Sequence, residues 1–329
     1  MSTQLLLDTD ALGDDLLALI AAAGLSELKL HGVTTFGRRY TARERAGVVV
    51  KLFEALAMES VPVAAGADRP LLRQPRPGCS ACDEPIMNFL QRGSGDSGGM
   101  AELNRKIDDR RGFQFIAEVI AAHPGQIGIL CTGPLTNLAL AVLTHPEIAE
   151  LAGGVVIMGG TAWVQGNVSP VAEANILNDP DAAAIVFDRF PRITMVGLDV
   201  TFQTLLDAAF IPELLSDGSE LGDLVSGIIT SCIGAQRERR GLTQMPLHDP
   251  LALLAALDPE LVKTMPCEVK IETAGVHSLG QTVCRRLTAE EAESGRPVVK
   301  VAVAVNHEAA VRRFKAAVLQ AVRHSKSPA

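Results

Sequence analysis

Short continuous apolar runs alternate with longer segments whose apolar positions recur every three or four residues, through the first two thirds of the chain. The short runs predict buried strands and the longer segments predict helices packed on them. Strands are predicted at Leu5–Leu7, Leu28–Phe36, Val61–Ala64, Gln126–Cys131, Gly154–Met158 and Arg192–Gly197. Between them, helices are predicted over Leu16–Ile20, Ala42–Ala57, and about 112–122, 135–144 and 180–188. This alternation predicts an α/β fold with a mainly parallel sheet flanked by helices. Further on, Leu205–Ser216, Leu221–Arg240, Leu251–Leu257 and Glu308–Arg323 read as helices, while Cys267–Ile271, Gln281–Arg285 and Val298–Val305 read as strands. Residues 66–111 form an irregular insertion rich in proline (Pro70, Pro75, Pro77, Pro85), with a glycine-rich run from Gly93 to Gly99. There is no internal repeat, and residues 1–329 read as a single domain.

Composition narrows the classes. At 47% hydrophobic and 21% charged residues, the chain has enough apolar side chains for a large core. A net charge of −8 argues against a nucleic-acid partner, whose phosphates need a basic surface. No apolar run reaches membrane-spanning length, and with a strand predicted from the first residues no signal peptide is expected. Six cysteines in a chain of 329 residues do not make a disulfide framework, so a cytoplasmic, reducing setting is expected. The pair Cys79-Ser80-Ala81-Cys82 lacks the second pair that zinc needs and the strand–helix setting of a redox motif.

Chemistry concentrates where predicted strands hand over to helices. Asp8-Thr9-Asp10-Ala11-Leu12-Gly13-Asp14-Asp15 puts four carboxylates within eight residues at the end of the first strand. Clustering so much negative charge beside a core is costly without a cation among them, and the helix N-terminus relieves only part of the cost. With no Cys or His nearby, a hard, oxygen-seeking ion, Ca²⁺ or Mg²⁺, fits best. The bland alternative is a solvated acidic helix cap. Three further stretches sit at such junctions: Thr132-Gly133-Pro134-Leu135-Thr136-Asn137, the run from Met158 through Asn167 to Glu173-Ala174-Asn175, and His248-Asp249-Pro250. In a parallel sheet all four gather at the carboxyl edge, where ligands bind.

Together these stretches resemble the inosine-uridine nucleoside hydrolase family. Ala11-Leu12 stands where that family carries Pro-Gly, but the carboxylates keep their spacing. The resemblance implies that Asp10, Asp15, Asp249 and the carbonyl of Thr132 bind one Ca²⁺, water and ribose hydroxyls completing a shell of about 6–8 oxygens. It implies that Asp10 takes a proton from the attacking water. Asp14, Asn167, Glu173, Asn175 and Asp249 would hold the ribose, and His248 would face and protonate the leaving base. The implied reaction is calcium-dependent hydrolysis of ribonucleosides to base and ribose. A homodimer or homotetramer is implied by the resemblance alone. One departure stands out: Gly37-Arg38-Arg39 replaces a Gly-Asn, placing a cation near the site. Trp163 precedes Asn167 and could stack on a base; Gln236, Arg239 and Arg240 fall on a segment expected to contact it. Two rivals remain at this point. One is a Mg²⁺-dependent phosphohydrolase with Asp8 or Asp10 as nucleophile, although the Asn167–Asn175 loop lacks the lysine it would want. The other is a non-catalytic nucleoside or ribose binder, disabled at Arg38.

Overall fold

A computed structural model describes residues 2–76, 83–91, 99–293 and 298–325. The chain opens with strand β1 (Thr3–Thr9), helix α1 (Gly13–Ala23), β2 (Leu28–Thr35), α2 (Ala42–Ala55) and β3 (Val63–Ala65). Helices α3 (Asp83–Gln91), α4 (Gly99–Arg105) and α5 (Gly112–Ala122) lead to β4 (Gly128–Cys131). Next come α6 (Thr136–Thr144), α7 (Ile148–Leu151), β5 (Val155–Met158), α8 (Ala174–Asn178), α9 (Pro180–Arg189), β6 (Arg192–Val196) and α10 (Leu198–Thr201). A short strand β7 (Leu205–Leu206), α11 (Ile211–Leu214), α12 (Glu220–Arg240), β8 (Met245–Pro246) and α13 (His248–Leu257) follow. The described chain ends with β9 (Val262–Ile271), β10 (Thr282–Arg286), α14 (Ala289–Glu293), β11 (Val298–Val305) and α15 (His307–His324).

Nine strands form one sheet in the order β10-β9-β11-β6-β5-β4-β1-β2-β3. From β11 to β3 every pairing is parallel; β9 runs antiparallel between β11 and β10. The mainly parallel sheet expected from the sequence is present. Its order reverses direction between β1 and β4, and such a reversal opens a crevice beyond the strands' carboxyl ends. Alternation along β1 builds two cores at once. Leu5 and Leu7 join the layer that holds α1, α13 and α15, while Leu6 joins the layer of α5, α6 and α9. Side chains two apart share a face of a strand, so three consecutive leucines serve both layers.

Three expectations need revising. Leu205–Ser216 is not one helix. Leu205–Leu206 pairs with Met245–Pro246 as a small antiparallel strand pair, and a short turn and α11 follow. Asp207 caps the turn by accepting from the Ala209 amide, and Pro212 restarts the chain as helix, so the apolar period is interrupted. The irregular stretch 66–111 also contains α3 and α4, which pack against α2 and α12 by burying Ile86, Phe89 and Leu103. Its prolines and glycines hide that short period. The Cys79–Cys82 pair and residues 93–98 of the glycine run lie outside the described residues. Finally, β9 spans ten residues, more than the Cys267–Ile271 expected.

Candidate active site

The β1–α1 connection is built to point carboxylates at the crevice. The strand ends at Thr9, and Ala11 turns the chain with φ +48°, a region that non-glycine residues adopt at a cost. Thr9 Oγ1 donates to Asp15 Oδ1 at 2.5 Å and accepts from the Ala11 amide at 3.0 Å. Asp15 sits in the first turn of α1, where Oδ2 accepts from the Leu12 amide at 3.2 Å. Thr132, at the end of β4, reaches across the strand reversal and donates its hydroxyl to Asp15 Oδ1 at 2.7 Å. The two loops approach so closely that a Cβ on Gly133 would lie 2.8 Å from the Asp10 amide nitrogen.

The other end of the chain supplies the facing wall. The β7–β8 pair and a 2.9 Å bond from the Leu247 amide to the Thr204 carbonyl hold the start of α13 in place. The Asp249 amide, in the first turn of α13, donates to Asp14 Oδ2 at 3.4 Å. Carboxylate oxygens of Asp14, Asp15 and Asp249 lie within 4.8 Å of one another. Burial, followed by repulsion between the carboxylates, pushes the Asp15 and Asp249 carboxyls well above the usual range. An all-oxygen cluster under that strain suits a hard divalent cation. Asp10, expected among the metal ligands, lines the same crevice, and its Oδ2 accepts from Arg38 Nη1 at 2.7 Å.

The third wall is the segment before α8. Glu173 caps α8: its carboxylate accepts from the amides of Asn175 at 2.8 Å, Ile176 at 3.2 Å and Gly160 at 3.0 Å. Burial raises the Glu173 carboxyl and these amide bonds oppose the rise. Asn175 Nδ2 donates to the carbonyls of Thr132 at 2.9 Å and Met158 at 3.1 Å. Asn167 Oδ1 accepts from the Ala174 amide at 2.9 Å, so Nδ2 is what Asn167 has to offer a ligand. Asp199 fastens the loop by accepting from the amides of Ala162 at 2.7 Å and Trp163 at 2.9 Å.

His248 closes the constellation. Its Nδ1 is bonded to Thr201 Oγ1 at 2.8 Å and the Phe202 ring meets it edge to face at 5.4 Å, leaving Nε2 for a ligand. Burial lowers its pKa below the usual imidazole value; Asp14 opposes that and Arg240 adds to it.

These walls enclose a cavity of about 370 Å³. Asp10, Asp14, Asp15, Thr132, Asn167, Glu173, Asn175, His248 and Asp249 all line it, so the structure brings together every residue that the family resemblance marked as a ligand or catalyst. Gln236, Arg239 and Arg240 line it too. Asp8 does not. It is 1% exposed beneath the site, its Oδ1 accepts from Thr34 and Asn137, and burial pushes its carboxyl up to about 7. Asp8 is therefore neither a ligand in the cavity nor a candidate nucleophile. Nor is Trp163 a cavity wall; the Arg286 guanidinium stacks on its ring at 4.7 Å. Sequence reasoning missed Thr201 and Phe202, which orient His248, because nothing in their local pattern marks a tertiary contact to residue 248.

Comparison with known proteins identifies the family. Residues 5–312 match the family described as inosine-uridine preferring nucleoside hydrolase. The enzyme of that name from Crithidia fasciculata is 31% identical over 86% of this chain and 88% of its own. A probable uridine nucleosidase 2 of Arabidopsis thaliana is 32% identical, covering 94% of this chain and 95% of its own. Among solved structures, a purine-preferring ribonucleoside hydrolase from Gardnerella vaginalis superposes with a TM-score of 0.86 at 28% identity, over 98% of this chain and 99% of that one. The chain belongs to the inosine-uridine preferring nucleoside hydrolase family.

Proposed function

We propose that this protein is a calcium-dependent ribonucleoside hydrolase, releasing free nucleobase and ribose. The observation that carries the cation is the meeting of Asp14, Asp15 and Asp249, from opposite ends of the chain, within 4.8 Å at the strand reversal. The donor set fits Ca²⁺, since carboxylates and the Thr132 carbonyl are hard oxygens and the one nearby imidazole has Nδ1 engaged. When bound, such an ion acts as a Lewis acid that makes water easier to deprotonate. Asp10, with Oδ2 fixed by Arg38, presents Oδ1 as the base that takes a proton from the attacking water. Breaking an N-glycosidic bond builds positive charge on the sugar, and the surrounding carboxylates stabilise it. Asp14, Asn167, Glu173, Asn175 and Asp249 supply fixed donors and acceptors for ribose hydroxyls. A site of this kind disfavours a deoxyribose, which would leave its polar groups unpaired. His248, neutral near pH 7, offers Nε2 to the base and delivers a proton more readily as pH falls.

Small-molecule nucleosides are the proposed partners. Among the described residues no helix is long and apolar enough to cross a membrane. A homodimer or homotetramer is proposed from family resemblance, and sedimentation of the purified protein measures it. The decisive assay is a nucleoside panel read for both base and reducing sugar, after dialysis against a chelator and again with added Ca²⁺. Base release that vanishes on chelation and returns with Ca²⁺ supports the proposal. No base release from any ribonucleoside in saturating Ca²⁺ removes it.

A further inference from the structure

Arg38 is gripped from two sides. Nη1 donates to Asp10 Oδ2 at 2.7 Å, with the Arg38 side chain 11% exposed and that of Asp10 3%. Behind it, Asn178, with its amide oxygen turned toward Arg38, accepts from Nε and Nη2 at 2.7 Å each. Asn178 is 2% exposed and ends α8, the helix that Glu173 caps, so the guanidinium is tied to the same short element that presents Glu173 and Asn175. Burial raises the Glu173 carboxyl, and the charge of Arg38 is among the smaller influences that oppose the rise. A guanidinium stays protonated at any working pH, so this positive charge is permanent. It shares one cavity with the Asp14, Asp15 and Asp249 cluster.

A divalent ion seated among those carboxylates meets a second positive charge in a water-poor space. Like charges there repel far more strongly than in bulk water. Asp10 has two oxygens and Arg38 takes one, which halves what Asp10 offers the ion and fixes how it is offered. We propose that Arg38 is a resident counter-charge of the carboxylate cavity, a positioning residue that orients Asp10 and weakens the cavity's hold on the divalent cation. This rests on the calcium reading of the site.

Isothermal titration of chelator-dialysed protein with CaCl₂ tests it, comparing wild type with Arg38→Gln and Arg38→Lys. Arg38→Gln is expected to bind Ca²⁺ about tenfold more tightly or better, through loss of the repulsion. Arg38→Lys keeps the charge and is expected to stay near the wild-type affinity. In chelator Arg38→Gln should melt below wild type, because Asp10 loses its partner. Added Ca²⁺ should then raise its Tm by more than it raises that of wild type, since tighter binding stabilises more. Arg38→Met keeps the alkyl stem and gives the same comparison should Arg38→Gln not fold. Equal or weaker Ca²⁺ binding by the folded neutral variant overturns the role of Arg38 alone. No Ca²⁺ binding by wild type or variant overturns the calcium reading, and this inference with it.

Discussion

In the proposed reaction Asp10 and His248 divide the chemistry between two groups with different surroundings. Asp10 sits against a guanidinium that fixes one of its two oxygens. His248 is half-buried, with Thr201 and Phe202 fixing its ring. Asp10→Ala is expected to lower kcat by roughly a thousandfold or more, as removal of a general base does. Steady-state base release measures it, and near-normal kcat in that variant takes Asp10 out of the mechanism. His248→Ala is expected to lower kcat by about a hundredfold, with a smaller loss for substrates whose base leaves readily without a proton. An equal loss for good and poor leaving groups speaks against proton donation. Asp249→Asn removes one charge from the cluster and is expected to weaken Ca²⁺ binding by about tenfold or more, as read by titration. At this scale the sequence showed which residue types gather at the site but not how they pair. The Arg38–Asp10 bond joins residues 28 apart, and the burial of Asp8 depends on Thr34 and Asn137, which no local period reveals.

Elements carry these side chains with different rigidity. The β1–α1 unit was legible because its leucines and the following apolar helix face follow two clean periods. The Asn167 loop was legible only as a string of polar residues, because its shape comes from distant anchors. Asp199 accepts from Ala162 and Trp163, Thr282 Oγ1 accepts from the Thr161 amide, and Arg286 stacks on Trp163. Asp199→Asn leaves one of those two amides facing a donor, at a cost of about 1–3 kcal/mol of loop order. The expected outcome is a several-fold rise in KM with a smaller change in kcat, measured on the best nucleoside of the panel. An unchanged KM shows that the loop keeps its shape without Asp199. The broken helix at Leu205–Ser216 was misread because its apolar spacing is helical. What matters there is the β7–β8 pairing, which exists only once Met245 arrives from forty residues on.

For the whole molecule, the buried carboxylates set a pH dependence of stability. Burial raises Asp8 to about 7 and lifts Asp15, Asp249, Glu173 and Asp179 above the usual carboxylate range. The folded state then binds protons more tightly than the unfolded chain, so stability falls as pH rises from about 4 through about 7. His248 and His31, with lowered pKa values, and the carboxyls of Glu27, Asp108, Glu272 and Glu291, held down by hydrogen bonds, act with the opposite sign. Those four carboxyls lie near the surface, where solvent screens them, and the five buried carboxyls set the trend. After chelation the Tm should therefore be higher at pH 5.5 than at pH 7.5. Saturating Ca²⁺ binds the deprotonated carboxylates and should reverse that order. Identical Tm values in chelator at the two pH values would contradict the burial of these groups. The cavity also has a consequence in time. One wall follows the first strand and the facing wall begins at Leu247, so a chain still emerging from the ribosome carries half a pocket for most of its synthesis. Nascent chains stalled before Asp249 should neither retain Ca²⁺ nor liberate base, and base release should await α15, which packs on the α1 and α13 helices that carry the two walls.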